Sequence, residues 1–249
     1  PPAELRARIQ ELPRAPALRR SGRFDLIAEV KLRSPAVGQL QSADGASAAE
    51  RALAYAKAGA AAVSVLTEPS RFDGSMADLV AVAASLTSVA VPAMRKDFLV
   101  DSYQVLEARA AGAGGVVVIL RMLRRNVLAQ LIDTAVEQGL FVLLEAFDEQ
   151  DIELAESLVT ERAAAKQQLL VGVNCRDLVT LQVVPGRLEA LAPRLPANIL
   201  RVAESGVTTE SDAARMAACG YDLALVGSAL MTHANPAALL ANMLAAARR

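Results

Sequence analysis

Two kinds of apolar pattern alternate along the chain. One is an alanine-rich segment with polar residues at helical spacing, ending at a glycine. The other is a short run that is apolar on both faces and rich in valine and leucine. The pair reads Ala52–Ala58, Gly59, then Ala62-Val-Ser-Val-Leu-Thr67. It returns as Tyr103–Ala111, Gly112, then Gly115-Val-Val-Val-Ile-Leu120, and as Val127–Gln138, Gly139, then Phe141-Val-Leu-Leu-Glu145. Near the end it is Asp212–Cys219, Gly220, then Leu223-Ala-Leu-Val-Gly227. Glycine just past a helix takes the left-handed cap conformation at little cost. Runs apolar on both faces are what buried parallel strands require.

Completing the series predicts eight strands, near residues 25–31, 61–67, 91–95, 115–120, 141–146, 169–174, 199–204 and 223–227. A helix-length amphipathic segment follows each, as right-handed crossovers need. Eight such units predict an α/β fold of the closed (β/α)8 type, a TIM barrel, spanning about 25–249. A doubly wound open sheet competes, but it usually has fewer strands and a glycine-rich first turn. No G-x-G-x-x-G follows the first strand. Residues 4–12 predict a short extra helix with Leu5, Ile9 and Leu12 on one face, stopped by Pro13 and Pro16. Residues 1–22 are thus an N-terminal extension, and 1–249 reads as one domain. Residues 157–168 lengthen the fifth helix or its exit loop.

Barrel active sites lie at the C-terminal ends of the strands. The first strand ends with Glu29 and Lys31, the third with Arg95-Lys96-Asp97, the fifth with Glu145. The sixth ends Asn174-Cys175-Arg176-Asp177, the seventh Glu204-Ser205-Gly206, the eighth Gly227-Ser228. Strand starts, by contrast, read as plain. Glu29 and Lys31 share a face by strand period, either as a structural ion pair or as the floor of a site. Arg95-Lys96-Asp97 taken alone reads more readily as a solvated loop start. Asn174 and Arg176 share a face, so Cys175 points away and packs as an inert thiol. Serine and glycine after the last two strands, with Ser228-Ala-Leu-Met231 as a short helix, form the usual place for a phosphate.

Composition narrows the chemistry. The 249 residues are 53% apolar, with 26 basic and 27 acidic side chains and a net charge of −1. Neither nucleic acid nor an anionic membrane surface is indicated. Two cysteines and one histidine, His233, argue against a disulfide framework and the usual zinc sites. His233 reads as a surface residue near a helix end, which makes a Ser-His-Asp triad improbable. No apolar stretch is long enough to span a membrane, and no signal peptide is evident. A cytoplasmic protein is expected, as a monomer or weak homodimer, with a phosphorylated small molecule as its partner.

The set of motifs resembles one family, the indole-3-glycerol phosphate synthases of tryptophan biosynthesis. The carriers are Ile27-Ala-Glu-Val-Lys31 with Ser34-Pro35, Ser64-Val-Leu-Thr67 with Phe72-Asp-Gly-Ser75, and Arg95-Lys-Asp-Phe98 with Asp101 and Tyr103. Further along are Glu107–Ala113, Gly172-Val-Asn-Cys-Arg-Asp-Leu178, Ala203-Glu-Ser-Gly206 and Leu225-Val-Gly-Ser-Ala-Leu-Met231. The resemblance covers about residues 25–232. It implies conversion of 1-(o-carboxyphenylamino)-1-deoxyribulose 5-phosphate to indole-3-glycerol phosphate, carbon dioxide and water, with no metal or organic cofactor.

The resemblance implies Lys96 as the general acid of ring closure, with Lys31, Glu29 and Glu145 serving dehydration. Asn174 and Arg176 would orient the substrate and its carboxylate, and Glu204 and Ser205 would border it. Phe72 and Phe98 would pack near the aromatic ring, with Ser34, Ser205, Gly206, Gly227 and Ser228 on the phosphate side. The chain departs from the family pattern at Ala36-Val37, at Ala146-Phe147, at Cys175 and in its shorter N-terminal extension, which in the family helps cover the pocket. Two other readings are another sugar-phosphate barrel enzyme, and a non-catalytic or altered-substrate paralogue that binds an anionic ligand.

Overall fold

A computed structural model describes residues 2–34, 38–39 and 45–249. Eight parallel strands close into a barrel: β1 (Asp25–Val30), β2 (Ala62–Leu66), β3 (Ala93–Lys96), β4 (Gly115–Ile119), β5 (Phe141–Ala146), β6 (Leu169–Asn174), β7 (Leu200–Glu204) and β8 (Leu223–Val226). Each pairs with its sequence neighbours, and β8 closes on β1 through Asp25↔Leu223 to Ala28↔Val226. All eight coincide with predicted strands to within a residue or two. Between β1 and β2, Arg33–Ser34 and Gly38–Gln39 pair as a small antiparallel hairpin. The expected departure at Ala36-Val37, and Pro35 before it, lie outside the described residues.

Strand alternation separates two apolar compartments. Ile27, Met94, Val117, Leu143, Leu170, Val202 and Leu225 point inward and fill the lumen. The alternate positions, such as Leu26, Ala28, Val116, Val118, Leu144 and Val171, pack outward beneath the helices. Burying one such leucine or valine contributes roughly 1.5–3 kcal/mol. The lumen is therefore a packed core, and only its upper end is free for chemistry.

The helices that follow the strands begin at that same end, and in most of them a side chain closes the first turn. Ser47 caps α2 (Ala48–Lys57), Ser75 caps α4 (Met76–Leu86) and Asp101 caps α5 (Ser102–Ala110). Here α3 is the single turn Pro69–Phe72 between β2 and α4, capped by Glu68. After α6 (Arg125–Glu137), Asp148 caps α7 (Glu149–Thr160). A 3-10 stretch at Ala163–Gln168, the exit loop expected near 157–168, then leads into β6. Beyond α8 (Arg187–Leu191), Thr209 caps α9 (Glu210–Ala218), and α10 (Ser228–Thr232) and α11 (Pro236–Ala247) finish the chain. Losing one such cap typically costs ~1 kcal/mol, so the loops carrying the site are anchored where each helix starts.

The N-terminal helix α1 (Pro2–Gln10) packs against α5, with Ile9 buried and Leu12 exposed. Arg109 of α5 donates to the Pro13 carbonyl. The chain then passes beneath the barrel: Leu18 packs against the lumen core and the Arg19 N–H donates to the Ala61 carbonyl. The described part of the extension thus closes the lower end and contributes no residue to the cavity lining. The plain reading of the strand starts needs correction. Asp25 opens β1 buried, 3.0 Å from Arg20 Nε and 2.7 Å from Arg248 Nη2, so it ties the extension and α11 to the barrel floor.

Candidate active site

The C-terminal ends of the strands surround an open cavity of about 200 Å³. Glu29, Lys31, Lys96, Glu145, Asn174, Arg176 and Glu204 all line it, as do Ser34, Phe72, Phe98 and Ser205. These residues come from both ends of the chain, and only barrel closure brings them together. Each occupies the last inward position of its strand or the loop just beyond it.

Two ion pairs form the floor. Lys31 Nζ lies 2.9 Å from Glu29 Oε1. Lys96 Nζ lies 2.7 Å from Glu145 Oε2 and 3.7 Å from Glu204 Oε2. Asn174 Nδ2 donates to the other Glu145 oxygen at 2.9 Å, and its Oδ1 accepts the Arg176 N–H at 2.9 Å. Arg176 leaves the strand path at an isolated bridge to Val183, and its guanidinium donates to the Leu181 carbonyl at 2.6 Å.

The electrostatics of this cluster are uneven. Burial disfavours the Lys96 ammonium, but Glu145, Glu204 and Glu29 outweigh it and hold the pKa well above the usual lysine range. Burial likewise opposes the Glu145 carboxylate, yet Lys96 and the Asn174 amide keep it below the usual range, hence ionised. Glu204 goes the other way. Burial and the Glu145 charge raise its pKa well above normal despite Lys96. Among the described residues neither Glu204 oxygen accepts a hydrogen bond that would favour its charged form. The two carboxyl groups therefore differ in their hold on a proton, Glu145 binding it less readily than usual and Glu204 more readily.

One wall is aromatic. The Phe72 and Phe98 ring centroids are 6.5 Å apart, tilted by 47°. After β7, Ser205 (φ 65°) and Gly206 (φ 73°) take consecutive left-handed conformations, which turns the chain sharply. Gly227 precedes α10, and a Cβ there would lie 2.4 Å from Glu29 Oε1 and 3.0 Å from Lys31 Nζ. That glycine lets the first ion pair lie flat against the backbone. Gly206, Gly227 and Ser228 stand beside the cavity rather than in its wall.

One expectation changes. Arg95 is not part of a solvated loop start: it is buried and faces outward. It donates to the Thr67 hydroxyl (3.1 Å), Asp97 (3.0 Å) and the Gln104 carbonyl (2.8 Å), which joins β2, β3 and α5. Cys175 packs as expected, with its thiol pushed up to about 11 by burial. Phe147 is buried under the Arg121 guanidinium, 4.6 Å from the ring centroid, and does not line the cavity. His233 is exposed at the end of α10, as expected.

Sequence reasoning also missed wall residues. Glu68 and Arg71 follow β2, and the strand-end rule extended by a turn would have found them. Leu66, Ile119 and Leu225 are inward strand positions, legible by period 2. Leu178 and Leu181 lie on the β6 loop, where Leu181 takes φ 62° and no local signal marks it.

Fold and site together define a (β/α)8 barrel whose strand ends gather lysine–carboxylate pairs around one cavity. The family model for indole-3-glycerol phosphate synthase matches residues 4–243. The chain is 45% identical over 237 residues to the indole-3-glycerol phosphate synthase of a Nocardioides species, covering 94% of this chain and 86% of that protein. To the Mycobacterium tuberculosis enzyme of the same name it is 42% identical over 230 residues, 92% of this chain and 79% of that one. A tryptophan synthase chain from M. tuberculosis superposes with a TM-score of 0.64 over 91% of this chain and 93% of its own, at 17% identity, a likeness of fold alone. The chain belongs to the indole-3-glycerol phosphate synthase family and is a carboxy-lyase of tryptophan biosynthesis acting on a phosphorylated substrate.

Proposed function

We propose that the two floor ion pairs divide the chemistry of the reaction between them. The observation that carries this reading is their geometry: two ammonium groups, each within 3 Å of its own carboxylate, face one cavity. In ring closure the substrate's carboxyl-bearing aryl carbon attacks the ketone, and Lys96 donates a proton to the ketone oxygen as it becomes a hydroxyl. Loss of carbon dioxide then returns the bonding pair to the ring and restores its aromaticity. In dehydration that hydroxyl leaves as water on a proton from Lys31, while ionised Glu145 takes a proton from the adjacent carbon. Glu29 holds Lys31 in place through their 2.9 Å ion pair. Positioned acids and bases of this kind typically contribute ~100- to 10,000-fold each.

Arg176 and Asn174 orient the substrate, the arginine toward its carboxylate. Phe72 and Phe98 hold the aromatic ring, and Glu204 and Ser205 border it. Ser34, Ser205, Gly206, Gly227 and Ser228 form the phosphate rim, where backbone N–H groups and hydroxyls donate to phosphate oxygens. Among the described residues no helix is long and apolar enough to cross a membrane. A cytoplasmic monomer or weak homodimer fits the cysteine usage and charge balance.

The division of labour is tested with Lys31→Met. This variant is expected to consume substrate and release carbon dioxide faster than it forms the indole-fluorescent product, so that a hydroxylated intermediate accumulates. Equal loss of all three rates would refute the assignment of Lys31 to dehydration.

A further inference from the structure

The floor of the cavity owes its shape to one residue without a side chain. Gly172 is the inward position of β6, paired in register with Glu145 on β5 and with Val202 on β7. Glu204 pairs two residues further along, opposite Asn174. Its side chain nevertheless leans back across β6 and lies over Gly172. A Cβ at that glycine would stand 2.2 Å from Glu204 Oε1 and 3.1 Å from its Cδ, and 2.9 Å from Leu143 Cδ1. Real contacts of this kind do not occur, so with any side chain at position 172 the Glu204 carboxyl has to move, and the cavity that it lines is the space open to it. Glycine inside a strand weakens the strand and often marks a close approach of another group. Here the group that approaches is the acid beside Lys96 and Glu145.

We propose that Gly172 is a positioning residue for the reaction: the notch it leaves in the barrel wall holds the Glu204 carboxyl against Glu145 and Lys96. The notch explains why two acidic side chains from β5 and β7 meet across the intervening β6. It also explains why Lys96 has a second carboxyl oxygen at 3.7 Å besides the one at 2.7 Å. Filling the notch lifts Glu204 away from Glu145 and toward the cavity water. There it no longer shares its proton with Glu145, and its titration moves to lower pH. The inference rests on the reading that Glu204 belongs to the reacting cluster.

The experiment compares Gly172→Ala, Glu204→Asp, Glu204→Gln and the double variant Gly172→Ala/Glu204→Asp by steady-state kinetics across pH. Gly172→Ala is expected to lower kcat by about 100-fold, the effect of a displacement of roughly 1 Å at a reacting group. Its KM should change by less than about threefold, since the phosphate and ring contacts are untouched. The pH limb of kcat that reports Glu204 should shift downward. In the double variant the shorter acid no longer reaches the added methyl, so its activity should match that of Glu204→Asp alone, a strongly non-additive cycle.

If the two losses multiply, or the pH profile stays put, the glycine has only a packing role and the proposal fails. Gly172→Ala/Leu143→Val, which removes the Leu143 contact, covers the case in which Gly172→Ala does not fold. Restored folding with kcat still depressed supports the notch, whereas restored kcat or continued failure to fold overturns it. Unchanged activity in Glu204→Gln would instead refute the participation of Glu204. Loss in Glu204→Gln with normal activity in Gly172→Ala would refute the notch alone.

Discussion

Lys96 and Glu145 face each other at 2.7 Å, but removing one is not equivalent to removing the other. In Glu145→Gln the ammonium keeps a second acid, Glu204, at 3.7 Å. Without the Glu145 charge beside it, Glu204 loses one of the causes that raise its pKa and ionises more readily, so the cluster again holds one positive and one negative charge. In Lys96→Met two buried carboxyl groups, each 1% exposed, lose their shared cation. Breaking a buried pair on the side that strands the charge costs ~3–5 kcal/mol, whereas the glutamine exchange should cost no more than about 1–2 kcal/mol.

The pH dependence follows. Wild-type Glu145 titrates below its unfolded value, so its contribution to stability is present above that value and is lost as pH falls through the folded pKa. In Lys96→Met the same carboxyl is governed by burial, and its folded pKa rises above the unfolded one. The penalty is then absent at low pH and grows as pH rises toward neutrality. Urea unfolding followed by circular dichroism at pH 5, 7 and 8.5 reads both effects. The expected result is a Lys96→Met deficit that widens from pH 5 to pH 7, beside a small deficit for Glu145→Gln. Equal deficits, or a Lys96→Met deficit that shrinks with rising pH, would refute the reasoning.

Two further predictions concern the barrel floor and the cavity wall. Asp25→Ala strands Arg20 and Arg248, both partly exposed, so the loss is discounted to about 2–3 kcal/mol. That corresponds to a fall in Tm of roughly 4–12 °C at unchanged kcat, read by calorimetry; a shift under about 2 °C would remove the clamp from the account. Arg176→Lys forfeits the planar fork offered to the substrate carboxylate and the bond to the Leu181 carbonyl, and is expected to raise KM about 10- to 100-fold. An unchanged KM would place the carboxylate elsewhere.

The barrel was legible because parallel strands are covered on both faces, so a continuous apolar run bounded by glycine carries the signal. Glu29, Lys96, Glu145 and Asn174 were legible because each ends such a run at the end where barrels place chemistry. What lay beyond local pattern depends on partners from distant strands. Arg95 reads like Lys96 in sequence, but strand alternation turns it outward to Thr67, Asp97 and Gln104. Asp25 reads as a plain strand start until Arg248 arrives from the far end of the chain. The raised pKa of Glu204 depends on burial and on Glu145, and its place over Gly172 on a notch in β6, neither residue adjacent to it in sequence.

The measurement closest to the centre of the account is turnover by Lys96→Met beside the unchanged protein, with binding of a phosphate-bearing product analogue followed separately. The unchanged protein should convert the carboxyphenylamino-deoxyribulose phosphate to an indole-fluorescent product. The variant should lose at least about 100-fold in kcat while its analogue Kd moves by less than about threefold. A folded variant that retains wild-type turnover would contradict the assignment of Lys96 as the acid of ring closure.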